Sequence, residues 1–231
     1  MISTCPKRQV CGGSNGSYET RMSDMWWVIG GIVLLSGAFS GTILSNVEQP
    51  KYEIVAAEKN IEVRNYSSMI VAEVEVAGDR DIAIKEGFRL IADYIFGNNL
   101  SIQKIAMSSL ASQQAGEKIA MTSPVTQQGD GGGWLVRFVM PLNYTLESLP
   151  KPNNAAVMLK KISGAKYAVI RFSGLAGKES LARNTEKLSQ FMISKGLKPA
   201  STPTYAFYNP PWTLPFLRRN EVMVELNQSG I

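Results

Sequence analysis

Two methionines in a repeated hexapeptide are the side chains of this sequence with the clearest capacity for ligand chemistry. The hexapeptides KIAMSS and KIAMTS begin at positions 104 and 118, which places Met107 and Met121 at equivalent points. A thioether can line a soft apolar pocket or bind a metal through sulfur. In both copies, however, Ile and Met alternate with Ala and Ser/Thr, which is the period of a β-strand. We therefore predict an extra hairpin over residues 104–126 that turns near Gly116. The alternative is that Met107 and Met121 line an apolar ligand pocket or bind a metal through sulfur.

Other common catalytic and metal-binding side chains are scarce. The chain contains no histidine, and its two cysteines, Cys5 and Cys11, lie close to the N-terminus. This composition excludes a Ser-His-Asp or Cys-His arrangement and leaves a structural zinc site short of ligands. The glycine cluster at 129–133 lacks the spacing of a phosphate-binding loop, and we predict that it is a hairpin loop. Glu73 and Glu75 alternate on one face of a predicted strand, and we predict that both are solvated.

Composition and charge favour one globular domain with an appendage. The chain has 231 residues, 45% of them hydrophobic, which is enough to bury one sizeable core. The formal net charge is +5, and the basic residues are scattered along the chain without forming a stripe or an arm. This distribution predicts no nucleic-acid partner.

The N-terminal part differs from the rest of the chain. Residues 25–44 carry no charged side chain, and a helix of this length can cross a bilayer core of roughly 30 Å. We predict a transmembrane anchor here, preceded by a disordered flank over residues 1–24; the alternative is a signal peptide cleaved before Gly41. The charges on either side of the segment predict a main domain outside the cytoplasm, either tethered to the membrane by a single pass or exported.

Residues 47–228 are predicted to fold as two similar halves. Each half contains strands with alternating or β-branched residues and one amphipathic helix that ends at a glycine. The first half has strands at 61–66, 69–76 and 133–141 and a helix that begins near Asp79 or Asp81 and ends at Gly97. The second half has strands at 156–162, 167–174, 205–209 and 220–226 and a helix over 178–196. The predicted fold class is α+β: a distorted antiparallel β-barrel of two pseudo-symmetric halves, each with one helix packed outside the sheet.

Four segments in this order resemble the SOUL haem-binding protein family. They are EKIAMTSPVTQQ at 117–128, WLVRFVMP at 134–141, YNPPW at 208–212 and RRNEVMVEL at 218–226. With the preceding YEIVAAEKNIEVRNY, the resemblance covers nearly all of residues 51–226. The family fold is a distorted barrel of two pseudo-symmetric halves, in agreement with the predicted repeat. It is also similar to bacterial small-molecule effector-binding domains.

The resemblance implies that haem b or a related porphyrin binds in an apolar depression beside the first helix, where basic side chains face the propionates. Lys85 occupies the position of one such basic residue, whereas Asp93 falls where a second is expected. Arg89 follows Lys85 by four residues beside Phe88 and Ala92, so two cations still adjoin an apolar surface. The alternative is an ordinary amphipathic helix with a solvated basic edge.

Iron ligation would have to differ from the common pattern, because an axial histidine cannot be supplied by this chain. Tyr94 on the same helix and Met121 are the candidate ligands, and contact through the macrocycle and propionates alone is the alternative. The sequence also suggests that Tyr94 packs at the sheet edge.

The resemblance predicts a binding protein that carries, buffers or senses haem or a related tetrapyrrole, not an enzyme. One alternative is an effector-binding module for apolar metabolites without preference for iron. Another is a metal-independent enzyme that uses Tyr or Glu in the barrel as acid or base. Around the YNPPW turn, we predict that Trp212 caps a core and that Arg218, Arg219 and Asn220 hold loop backbone, so that the motif is scaffolding.

Overall fold

The computed structural model describes residues 47–101, 116–129 and 132–227. Within these residues the chain forms two α-helices, one short 3₁₀ helix at Pro215–Leu217 and eleven strands. The helices are α1 (Arg80–Ile95) and α2 (Lys178–Ser194). The strands are β1 (Tyr52–Glu58), β2 (Ile61–Tyr66), β3 (Met69–Ala77), β4 (Asn99–Leu100), β5 (Val125–Gly129), β6 (Gly133–Val139), β7 (Lys151–Pro152), β8 (Met158–Ile162), β9 (Ala165–Phe172), β10 (Thr204–Phe207) and β11 (Asn220–Glu225).

Nine of these strands form one curled antiparallel sheet in the order β1-β2-β9-β11-β10-β5-β6-β3-β8, and β4 pairs with β7 separately. Strand β1 pairs with β2 and strand β8 pairs with β3, so each leaves one edge of the sheet unpaired within the described residues. The α+β class and the two helices are confirmed. The predicted barrel is an open half-barrel, because its two edge strands do not meet.

The two helices pack against the outer face of the sheet through separate apolar cores. Successive strand residues point to opposite faces, and the outward set of each half meets the apolar side of one helix. The core under α1 includes Ile91, Ile95, Val74, Val136 and Phe138. The core under α2 includes Leu181, Leu188, Met192, Ile170 and Val222. A third cluster on the inner face includes Tyr66, Tyr208 and Met223.

The helix ends follow from local sequence. The Asp79 carboxylate accepts a hydrogen bond from the Asp81 backbone N–H at 2.9 Å, which caps the start of α1. Gly97 follows the helix with a φ of 118°, a left-handed conformation that glycine adopts without steric cost. At the equivalent start of α2, Gly177 provides no side-chain cap.

The strand order is symmetric about the junction between β5 and β10, as two pseudo-symmetric halves require. The pairs β2/β8, β3/β9, β5/β10 and β6/β11 occupy equivalent places on either side of this junction. One strand of each half pairs with a strand of the other half: β2 with β9, and β8 with β3. Strands β2 and β3 are consecutive in the chain but do not pair with each other, because the turn between them carries the chain across to the other half.

The two turns at this exchange lie against each other. Tyr66 is opposite Ala165, and Met69 is opposite Ile162. A Cβ atom added to Gly164 would lie 2.6 Å from the Tyr66 carbonyl oxygen. This approach is closer than any side chain allows, so the crossing of the turns requires glycine at position 164.

Two predictions about local structure are wrong. Residues 116–124 form no strand. The Ile119 N–H donates to the Ile95 carbonyl and the Ser123 N–H to the Glu48 carbonyl, so these two amides are bound by residues outside the sheet. The first half of the predicted hairpin lies outside the described residues. The predicted core-capping Trp212 is 74% exposed and belongs to none of the three buried apolar clusters.

The predicted hairpin at the glycine cluster is confirmed, since β5 and β6 pair in antiparallel register up to Gly129 and Trp134. The predicted flank over 1–24 and the apolar segment over 25–44 lie outside the described residues. Among the helices that the structure describes, none has both the length and the apolar character needed to cross a bilayer.

Candidate functional site

The outward face of α1 brings together four of the residues singled out in the sequence. Lys85, Phe88, Arg89 and Ala92 follow the i, i+3, i+4 and i+7 spacing that places side chains on one side of a helix. Lys85 and Arg89 are exposed, Phe88 is 42% exposed and Ala92 is partly buried. The structure therefore presents cations and apolar groups side by side.

The apolar part of this face is larger than the sequence analysis predicted. Ile82 is 70% exposed and Phe96, at the C-cap, is 60% exposed. Both lie within about 60° of Lys85 at 100° per residue. The Phe88 ring centroid lies 5.3 Å from that of Phe138, which connects the face to the core beneath. Projecting the sequence onto a helical period would have found Ile82 and Phe96.

The two cations of the α1 face differ in their partners. Arg89 forms two hydrogen bonds to the Glu86 carboxylate, with Nη2–Oε1 at 2.6 Å and Nε–Oε2 at 3.0 Å. These hydrogen bonds, and then the opposite charge, raise the pKa of Arg89 and lower the pKa of Glu86. Lys85 forms no ion pair within the described part of the chain. Lys85 is thus the cation whose charge remains available to a ligand.

Neither of the two candidate iron ligands is among the exposed side chains of α1. Tyr94 is 1% exposed, on the opposite side of α1 from Lys85, and its hydroxyl donates to the Pro150 carbonyl at 2.9 Å. Burial raises the pKa of Tyr94, so the phenol stays protonated. Met121 is 46% exposed in the irregular segment before β5. The structure does not bring Tyr94 onto the face that carries the other α1 residues.

The second helix provides an internal comparison. Aligning the N-caps Asp79 and Gly177 places Arg183 and Lys187 at the positions of Lys85 and Arg89. Both are exposed. The four apolar positions of the α1 face are all polar on α2: Ile82, Phe88, Ala92 and Phe96 correspond to Ser180, Glu186, Gln190 and Ser194. Both helices carry the basic pair, whereas only α1 has apolar side chains at the four positions around it.

The inner face of the sheet carries a buried charge network that the sequence analysis missed. Arg64 on β2 donates two hydrogen bonds to Glu221 on β11, each at 3.0 Å, although β9 lies between these strands. Arg219 and the Tyr208 hydroxyl also donate to Glu221, at 2.8 and 2.7 Å. Strand alternation places Arg64 and Tyr66 on one face, but only the sheet order shows that this face meets Glu221.

The network shifts the pKa values of its members away from neutrality. Burial by itself would raise the pKa of Glu221, but the hydrogen bonds and charges of Arg64 and Arg219 outweigh it and lower that pKa. Burial raises the pKa of Tyr208 well above 10, and that of Tyr66 to about 12. A group that exchanges protons efficiently at neutral pH needs a pKa near 7. Neither the carboxylate nor the phenols approach that value.

A second carboxylate on the same face is buried, although the sequence analysis predicted that it is solvated. Glu73, predicted to be solvated, is 2% exposed and binds Arg137 at 2.9 Å together with Lys160. Its partners come from β6 and β8, which flank β3. Burial would raise the pKa of Glu73, and the hydrogen bonds from Lys160 and Arg137 reverse this effect and lower it.

Two cavities lie outside the α1 face, one on the inner face of the sheet and one beside α2. The inner-face cavity, beside Arg137, Tyr66 and Tyr208, measures about 80 Å³, well below the roughly 300–1,000 Å³ typical of small-molecule sites. A groove of about 370 Å³ lies between β1 and the C-terminal end of α2, where Val55 and Phe191 contribute apolar surface. Lysines 166, 195 and 198 border this groove.

Comparison with known proteins gives a family and a fold. The family model described as SOUL heme-binding protein matches residues 47–109 and 110–225. No curated protein sequence matches the chain significantly.

Among solved structures, the EcmrR C-terminal domain is similar with a TM-score of 0.53 at 12% identity, covering 76% of this chain and 98% of that one. A hydrolase from Listeria innocua has a TM-score of 0.50 at 15% identity, covering 75% and 94%. An uncharacterized conserved protein from Listeria innocua has a TM-score of 0.51 at 14% identity, covering 74% and 94%. At these identities the structural similarities describe the fold alone.

Proposed function

This chain belongs to the SOUL haem-binding protein family, and from that premise we propose that it binds haem b or a related tetrapyrrole non-covalently on the outward face of α1. The ligand would lie against Ile82, Phe88, Ala92 and Phe96, with a propionate directed to Lys85. The protein would act as a carrier, buffer or sensor of the tetrapyrrole.

The observation that carries this proposal is the exposed apolar surface of α1. A ligand that covers exposed apolar side chains gains about 25 cal/mol of binding free energy for each Å² of apolar surface removed from water. On the equivalent face of α2, polar side chains occupy the same four positions. Solubility and helix formation impose the same requirements on both helices. They therefore do not explain why these four positions are apolar on α1 and polar on α2.

Lys85 is the residue proposed to orient the ligand. Its ammonium is exposed and without an ion pair in the described part of the chain, so a carboxylate can approach it without displacing another anion. Arg89 must first release Glu86. We therefore expect Lys85 to contribute more to propionate binding than Arg89, and Asp93 to repel an anion at the position where a second cation had been expected.

The residues present fit the macrocycle and its propionates better than they fit the iron. Haem, when bound, supplies a redox-active iron whose properties depend on its axial ligands. The chain offers no histidine, the Tyr94 hydroxyl donates to Pro150, and Met121 is an exposed thioether. The affinity would then come from apolar contact and propionate pairing, and metal-free porphyrin should bind nearly as tightly as haem.

A binding role is also favoured over acid-base catalysis. The buried Glu221 has a lowered pKa and the buried Tyr208 a raised one, so neither is suited to exchange protons at neutral pH. We further propose that the apolar segment over 25–44 tethers the domain to a membrane, with the domain outside the cytoplasm, or directs its export before cleavage. The absence of charge over these residues supports this part of the proposal.

The proposal is tested by titrating the full chain with haemin and with metal-free protoporphyrin, following the Soret band and the tryptophan fluorescence. We expect saturable one-to-one binding of both ligands. Lys85→Glu with Arg89→Glu should weaken binding of both by about tenfold or more, equivalent to about 1.4 kcal/mol.

The matched control is Arg183→Glu with Lys187→Glu, which makes the same charge change at the equivalent positions of α2. This variant should keep wild-type affinity. Equal losses of affinity in both variants would show that the effect comes from net charge, and would contradict a binding site on α1. If the α1 variant keeps saturable binding with wild-type affinity, the tetrapyrrole binds to another surface of the protein.

A second candidate function is binding of an apolar metabolite without iron preference. The groove of about 370 Å³ beside the end of α2 favours it, because this volume and lining suit a small amphipathic molecule. Phe191→Ser lies in this groove and away from the α1 face. Loss of tetrapyrrole binding in this variant, with retention in the α1 variant, would favour the groove as the binding site.

A further inference from the structure

Two loops of the second half expose a cluster of large apolar side chains, which we call the apolar tip. Its members are Leu175, Trp212, Leu214, Phe216 and Leu217. Their exposed fractions are 65%, 74%, 46%, 70% and 43%, respectively. Single exposed apolar residues are common, but a contiguous group of this kind marks an interaction surface on most soluble proteins. The proposed tetrapyrrole site on α1 makes no use of it.

Hydrogen bonds hold the two loops together. The Gly174 N–H donates to the Pro215 carbonyl at 2.9 Å, and the Asn220 side-chain amide donates to the Gly174 carbonyl at 3.0 Å. Arg218 donates from Nε to the Thr213 carbonyl at 2.7 Å and from Nη2 to the Pro211 carbonyl. Arg218 and Asn220 therefore hold loop backbone, as predicted. These bonds fix the loops in a conformation that keeps Trp212 and Phe216 in solvent. The prediction is wrong for Arg219, whose guanidinium binds the side chains of Glu221 and Gln49.

The two loops that bear the apolar tip carry basic side chains and no acidic ones. Residues 171–178 and 209–219 contain two basic side chains each and no Asp or Glu. Arg219 is neutralised by the buried Glu221 at 2.8 Å. Arg171, Lys178 and Arg218 form no ion pair within the residues that the structure describes. Three uncompensated cations thus accompany the exposed apolar group.

We propose that the apolar tip inserts into the interfacial region of a bilayer that contains anionic lipids. Tryptophan prefers the membrane–water interface, and Leu and Phe gain by leaving water for the acyl boundary. Cations beside the inserted group are attracted to anionic headgroups. The apolar side chains and the cations of these two loops supply both contributions.

The size of the apolar tip favours a lipid surface over a protein partner. A stable protein interface takes about 20–30 residues on each side, whereas this cluster has five apolar members on two short loops. The inference is independent of tetrapyrrole binding and of the apolar segment over 25–44.

The test uses the full chain with Trp26, Trp27 and Trp134 replaced by Phe, so that Trp212 is the sole tryptophan. The chain is added to phosphatidylcholine vesicles with or without phosphatidylglycerol, in which the acyl chains carry bromine near their headgroup end. On the anionic vesicles we expect the Trp212 emission to shift to the blue and to lose most of its intensity. The matched control keeps Trp134 alone, a partly buried side chain of β6, and its emission should not change.

Two further variants separate the apolar and electrostatic contributions. Leu214→Ser with Phe216→Ser should abolish the quenching of Trp212. Lys178→Glu with Arg171→Glu should reduce it on anionic vesicles. Unchanged Trp212 emission on anionic vesicles would overturn the proposal, and equal quenching on both vesicle types would contradict the preference for anionic lipid. A dimer that Trp212→Ser dissociates, with no quenching by lipid, would assign the tip to a second copy of this chain.

Discussion

At the scale of single residues, Glu221 couples the stability of the fold to pH. Its carboxylate is fully buried and accepts hydrogen bonds from Arg64, Arg219 and Tyr208. A folded-state pKa below the ordinary value of 4.5 means that ionised Glu221 favours folding. This contribution is complete above the unfolded-state pKa and is lost as the pH falls through it toward the folded-state pKa. Glu73, whose pKa is also lowered, acts in the same direction.

We predict that the melting temperature falls steeply below about pH 5 and that Glu221→Gln shows a shallower dependence in this window. At neutral pH the same substitution should lower the free energy of unfolding by about 3–5 kcal/mol. It removes the buried carboxylate that Arg64 and Arg219 share, and Arg64 keeps only the partly exposed Glu62 as an anionic partner. Thermal denaturation followed by circular dichroism across the pH range measures both effects. Glu75→Gln, on an exposed position of β3, is the control and should keep the wild-type profile.

The positions of some of these residues could be predicted from the sequence, whereas those of others could not. Lys85, Phe88, Arg89 and Ala92 could be placed on one face because helical spacing is a local property. The partners of Glu221 could not be found in this way, because strand alternation gives the face of a side chain but not its neighbours in the sheet. The same reason explains why Glu73 was predicted to be solvated.

At the scale of elements, α1 lies unusually close to the sheet at Gly87. A Cβ atom at this position would lie 2.7 Å from Val136 Cγ2 and 2.9 Å from Val136 Cβ. Valine is stiff at χ1 and cannot rotate away without strain, so the contact sets the distance between α1 and β6. Glycine in mid-helix lowers helix propensity, and the close packing accounts for its presence.

We predict that Gly87→Ala lowers the free energy of unfolding by about 1–3 kcal/mol, since overpacking outweighs the gain in helix propensity. Denaturant unfolding of the full chain measures the change. The control is Gly132→Ala, where an added Cβ meets no atom within 4 Å. Stabilisation by Gly87→Ala would show that α1 can move away from β6 at little cost.

The elements were more predictable than their arrangement. Hydrophobic periodicity and the positions of Gly, Pro and capping residues predicted the helices and strands. The ends of α1 and α2 differ from their predicted positions by at most two residues. The predicted hairpin over 104–126 was wrong for residues 116–124, although their alternation is typical of a strand. Alternation favours a strand only where a partner edge is available, and the Ile119 N–H instead meets the end of α1.

At the scale of the whole molecule, the exchange of β2 and β8 between the halves makes each half depend on the other. Strand β2 completes the sheet of the second half, and β8 completes that of the first. We predict that α1 and α2 lose protection together, in one cooperative transition, when hydrogen exchange is followed at increasing denaturant. Separate transitions for the two helices would show that the halves fold independently.

Gly164→Ala tests the same coupling at the crossing of the turns. The added Cβ would meet the Tyr66 carbonyl at 2.6 Å, and backbone cannot yield as a side-chain end can. We expect a loss of about 1–3 kcal/mol of stability, with equal decreases in the protection of α1 and α2. A loss confined to one helix would contradict the coupling.

The strand exchange has a consequence for a chain that is cut. The stretch between β6 and β7 is solvent-exposed, with Leu142 at 51% and Leu146 at 37% exposure, so a protease could sever it. The two fragments would each lack a strand that the other holds, and their central strands β5 and β10 would still pair. They should therefore behave as subunits of an obligate heterodimer, each insoluble or unfolded alone and each restoring the other on mixing.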